Sequence, residues 1–134
     1  MTSYYDSLLA NRWLTTVRIG QFVLAIAIYV TLLLMPNPPL SGPQLSNFTL
    51  HAIGNGLLML STWVASGARY NALGPLMFAF PMSLLAELAQ GFTENRTPEL
   101  PDVLANTLGI AVGYVVCTAL GPIVKMLRNK QVRD

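Results

Sequence analysis

In an otherwise apolar chain, Glu87 and Gln90 stand three positions apart and Asp102 and Asn106 four apart, with Arg96 between the two pairs. On helices each pair shares one face. Residues 87–113 hold four of the six acidic residues, and Arg96 is the one arginine between Arg69 and the C-terminal tail. The only histidine, His51, lies upstream, with Asn55 one turn further along. These groups suit proton transfer and anion binding. Glu87 or His51 could act as a general base, with Asp102 orienting His51 and Arg96 holding a phosphate or carboxylate. Gln90, Asn106 and Asn55 are candidates for contacts to a bound ligand. Imidazole with two carboxylates also suits several divalent ions, although the three residues do not follow the spacing of a known metal motif. Each residue has a plainer role too. Asp102 follows Pro101 as a helix N-cap would. Gln90, Asn55 and Asn106 could join helices by hydrogen bonds, and a histidine near a span end is often only interfacial.

Composition says what surrounds this cluster. Of 134 residues, 53% are hydrophobic and 10% charged, where a soluble domain carries about 25% charged residues. With a mean hydropathy of +0.50, the chain reads as an all-α integral membrane protein, and its length fits a single domain over 1–134. A net charge of +2 is too small to indicate a nucleic-acid partner; the bilayer is the expected one. Cys117 is the sole cysteine, which excludes an intrachain disulfide. Phosphate-binding glycine loops, nucleophile elbows and paired-histidine zinc motifs are missing from the sequence.

Four apolar runs can position the cluster. Residues 3–18 have Tyr5, Leu8, Leu9, Trp13 and Val17 near helical spacing and read as a short amphipathic helix at the membrane surface, preceding a four-helix bundle. The alternative is that they form the first turns of the first span. Spans are expected at 19–35, 50–65 (or from Ser46), 72–92 and 103–124, each close to the roughly 17 to 25 residues that cross a bilayer. Pro36, Pro38, Pro39 and Pro43 stiffen the uncharged first loop. Pro75 and Pro81 fall within the third span, where prolines kink helices without ending them. A basic tail, 125–134, follows the fourth.

Arg12, Arg18, Arg69 and the four basic residues of the tail fall on one side of the spans, and Arg96 alone on the other. The positive-inside rule then puts both termini in the cytoplasm. His51, Glu87 with Gln90, and Asp102 with Asn106 all come to the extracytoplasmic level, forming a polar pocket. Ionisable groups inside a span normally face the bundle interior or a wet cavity. Below them Gly109 and Gly113 form a GxxxG that admits close helix packing, within the chain or between chains.

His51 heading one span, E-x-x-Q at Glu87 and Gln90, Arg96 in the next loop, and D-x-x-x-N-x-x-G-x-x-x-G from Asp102 to Gly113 together resemble the VanZ-like family of small bacterial membrane proteins, over about residues 47–116. In that family an aspartate commonly stands four residues before the histidine, often followed by a lysine; here those places hold Asn47 and Phe48. The resemblance implies a four-span protein of the bacterial inner membrane and a link to the cell envelope and glycopeptide resistance, as in its teicoplanin-resistance member. Three functions stay open: a membrane enzyme acting on a lipid-linked envelope precursor, a non-catalytic factor binding an envelope lipid, an antibiotic or a partner membrane protein, and a purely structural helix clamp.

Overall fold

The computed structural model describes residues 12–35, 46–68, 71–92 and 99–131. Among them are four helices and no strand: α1 (Arg12–Leu34), α2 (Asn47–Ala65), α3 (Leu73–Gln90) and α4 (Leu100–Gln131). All four are long and apolar enough to cross a membrane, so the chain is a multi-pass membrane protein. Arg12 to Arg18 continue without a break into the first span. The amphipathic segment expected over 3–18 therefore does not end where the span begins, and its earlier part lies outside the described residues. The fourth span likewise runs on: α4 remains helical through Lys125 and Lys130 to Gln131, so the basic tail is helical that far.

Helix starts follow local chemistry. Ser46 is extended and its hydroxyl accepts the Thr49 amide at 3.2 Å, capping α2. The side-chain oxygen of Asn71 accepts the Leu73 amide at 2.8 Å at the start of α3. Pro75 is the third residue of that helix, where no amide is needed, so it shapes the start and does not kink the span. Pro81 lies within α3 and Pro122 within α4. Asp102 is not an N-cap: the amides of Asp102 and Val103 both donate to the Glu99 carbonyl, which leaves Asp102 in the first turn of α4.

The faces that pack are small and polar, as expected where lipid supplies no hydrophobic drive between helices. On α4 the buried positions are Asp102, Ala105, Asn106, Ile110 and Cys117, with Gly109, Gly113 and Gly121 among them, while Leu100, Leu104, Leu108, Val112 and Val115 face outward. On α3 the buried face is Pro75, Ala79, Ser83, Ala86, Glu87 and Gln90. The closest approach is between α2 and α4. A side-chain carbon at Gly113 would stand 2.9 Å from both the Gly56 carbonyl oxygen and Met59 Cβ, and one at Gly109 would run into the Ala52 carbonyl. The GxxxG thus packs within the chain. Met59, Leu58, Trp63, Ile110 and Cys117 fill the layer beneath it.

Helix α1 sits differently, with Leu33 its only buried residue. It is tied to the bundle at a few points: Gln90 Nε2 donates to the Leu33 carbonyl at 2.8 Å, Gln21 and Ser61 exchange hydrogen bonds, and the Phe22 and Phe78 rings meet edge to face at 5.7 Å. Between these ties a cleft of about 530 Å³ opens along α1 and α2.

Candidate functional site

His51 near the start of α2, Glu87 near the end of α3 and Asp102 at the start of α4 converge at one end of the bundle. All three are buried, at 7%, 3% and 8% exposure, and they offer ligand atoms that lie within 4.8 Å of one another. His51 Nε2 is 3.7 Å from Asp102 Oδ2, and Nδ1 is 4.0 Å from Glu87 Oε2. Asn55 and Asn106, each one turn into its helix from His51 and Asp102, lie directly beneath.

The amides lock the cluster. Asn55 Nδ2 donates to the backbone carbonyl of His51 at 2.9 Å and to Asn106 Oδ1 at 2.6 Å. Those two bonds fix which end of Asn55 is nitrogen, and so which end of Asn106 is oxygen. Asn106 Nδ2 then points at Glu87 Oε2, 3.2 Å away. Because Asn106 Oδ1 can only accept, the contact at 2.9 Å to His51 Nδ1 requires the proton to be on Nδ1. In the neutral ring the Nε2 lone pair then faces Asp102.

Two oxygen-rich features remain. Glu87 Oε1 is buried and finds no hydrogen-bond partner among the described residues. The Asp102 carboxylate receives the Asn47 amide on both oxygens, at 3.0 Å each, so the asparagine that departs from the expected aspartate serves as its donor. A buried carboxylate without a cation is costly, and the basic side chain that both Glu87 and Asp102 approach among the described residues is His51, a counter-charge only in its protonated form. Arg96, expected to hold a phosphate or carboxylate, lies outside the described residues. Gln90, expected from sequence as a ligand contact, joins α3 to α1 through the Leu33 carbonyl and also lines the cleft.

Two contacts escaped sequence reasoning. Tyr29, in the apolar first span, donates its hydroxyl to Asn55 Oδ1 at 3.0 Å. Asn47 lies one turn before His51, on its face. The available signal was the same for both: a polar group in a span must find a partner, and these two pair with Asn55 and Asp102.

The cleft meets this cluster at His51 and Asn55, while Glu87, Asp102 and Asn106 are not among the residues that line it. Asn47, His51, Asn55 and Gln90 line its polar end, and Ala25, Ile28, Leu32, Ile53, Leu57 and Val64 line its apolar length. From Asn47 to Val64 the α2 wall extends about 25 Å at 1.5 Å per residue.

No curated protein and no solved structure matches the chain. A family model described as VanZ/LLP1 matches residues 17–121, a stretch that reaches back through the first span and takes in His51, Glu87, Asp102 and both amides of the lock. The chain belongs to the VanZ/LLP1 family.

Proposed function

We propose that this protein is a VanZ-like cell-envelope factor of the bacterial inner membrane that binds a lipid-linked envelope molecule, through which it contributes to glycopeptide resistance. The polar head would lie against His51, with Glu87 and Asp102 behind the imidazole, and the hydrocarbon chain in the cleft between α1 and α2. The observation that carries this reading is the place of His51: it belongs to the buried ionisable cluster and also lines an apolar cleft, beside Asn47, Asn55 and Gln90. A chain-like ligand with one polar end matches that shape. With both termini in the cytoplasm the cluster faces the outer leaflet, where envelope precursors are consumed, and Arg96 would hold a phosphate on the ligand.

A second reading, turnover of that ligand, is favoured by the Nε2 lone pair directed at Asp102 in the neutral ring, which leaves His51 able to accept a proton. A non-catalytic role, including docking of a partner membrane protein, uses the same groups without that step.

The test is survival of a strain lacking the gene under cell-wall-targeting antibiotics, complemented by wild type, Glu87→Gln, Arg96→Ala, Asp102→Asn or His51→Ala, with membrane levels measured for each. Variants that accumulate normally but fail to protect support a working site. Full protection by all of them, or failure only where the protein is lost, makes the cluster a helix clamp and removes the proposal.

A further inference from the structure

We infer that His51, Glu87 and Asp102 form a binding site for a single divalent transition-metal cation of the Zn2+ or Mn2+ type. The orientation of His51 comes first. Its Nδ1 proton is committed to Asn106 Oδ1 at 2.9 Å, and that oxygen is held in place by Asn55, itself fixed by a backbone carbonyl. In the neutral ring two lone pairs therefore confront each other, on His51 Nε2 and Asp102 Oδ2, 3.7 Å apart. Two ligand atoms about 2.1 Å from one tetrahedral ion stand about 3.4 Å apart, close to that separation. Metal-bound histidines characteristically donate their other ring N–H to a fixed acceptor, as this one does.

Glu87 provides the independent sign. It is 3% exposed, its Oε2 is partnered by Asn106 and lies 4.0 Å from His51 Nδ1, its Oε1 has no partner among the described residues, and the three residues each offer one ligand atom within 4.8 Å of the others. Two carboxylates and a neutral imidazole balance one dication, which removes the cost of burying two like charges side by side. One nitrogen and two oxygens suit Zn2+ or Mn2+ better than an all-oxygen ion such as Ca2+. The glycine contact holds α2 and α4, and with them His51 and Asp102, at a fixed spacing; two atoms each about 2.1 Å from one ion stand at most about 4.2 Å apart, so Glu87 on α3 closes in by side-chain rotation when the ion binds. The inference concerns the cluster of the preceding proposal but does not need the lipid.

The experiment uses the full chain without a histidine tag, purified in detergent, stripped with EDTA and titrated with Mn2+. Loss of the free-ion electron paramagnetic resonance signal should saturate at a single equivalent. Pulsed measurements on the bound ion should show coupling to an imidazole nitrogen, which His51, the only histidine in the chain, alone can supply. Asn106→Leu, which removes the acceptor behind the imidazole, should weaken binding by roughly 10- to 100-fold, and Glu87→Gln by at least as much. Absence of saturable binding, or binding without imidazole coupling, overturns the inference on wild-type protein alone, whatever the variants do. Co-purifying lipid is read separately by mass spectrometry. Metal bound with no lipid retained counts against the proposed function only, and lipid retained with no metal counts against this site only.

Discussion

Asn106 Oδ1 lies 2.9 Å from His51 Nδ1 while the nitrogen of the same amide lies 3.2 Å from Glu87 Oε2, so one side chain on α4 sets the imidazole of α2 and the carboxylate of α3 together. Replacing it by the similarly sized Asn106→Leu leaves both buried groups without that partner. The expected loss is about 1–3 kcal/mol, measured by reversible unfolding in mixed micelles. A loss under about 0.5 kcal/mol would mean that the amide is a bystander.

The glycines separate by position. Gly109→Ala drives a methyl group into the Ala52 carbonyl and should cost about 2–3 kcal/mol as α2 and α4 are forced apart. At Gly20 and Gly74 a methyl group meets nothing within 4 Å. Alanine at either should leave stability unchanged or raise it by up to about 1 kcal/mol, because glycine is the poorer helix former. Equal effects at all three sites would contradict the packing described.

Filling the cleft tests the ligand without touching the ionisable groups. Ala25 lines the cleft on α1, and Ala25→Trp should abolish both lipid retention, read by mass spectrometry, and antibiotic protection, at normal membrane levels. Undiminished retention would show that the chain of the ligand does not lie there.

Orientation is checked by labelling with a membrane-impermeant maleimide in intact cells stripped of the outer barrier. Cys117 is fully buried and should stay silent. A cysteine at Ser46 should react and one at Lys130 should not; the reverse pattern would put the cluster at the cytoplasmic face and overturn the outer-leaflet reading.

Much of the fold was legible because membrane spans announce themselves by length and apolarity, and the scarce ionisable residues by contrast. The convergence of His51, Glu87 and Asp102 was readable from topology alone: alternating spans bring the start of α2, the end of α3 and the start of α4 to one level. Pairing was not readable. That Asn106 would serve His51, Asn55 and Glu87 together depends on helix rotation, which the glycines fix only once their partner helix is known. Tyr29 was obscured by hydrophobic neighbours in a segment read only for its hydropathy. Asp102 resembled a cap because the proline before it suggests a helix start, but the helix begins two residues earlier and turns the carboxylate toward α2.

The cleft between α1 and α2 is walled partly by Ile28, Ile53, Leu57 and Val64, side chains that are themselves exposed, so it opens through the side of the bundle. A ligand entering that way arrives by diffusion within the leaflet and never crosses water. Its occupancy then follows its mole fraction among neighbouring lipids, and affinities for this protein are properly compared at constant lipid composition, whatever the volume of the surrounding solution.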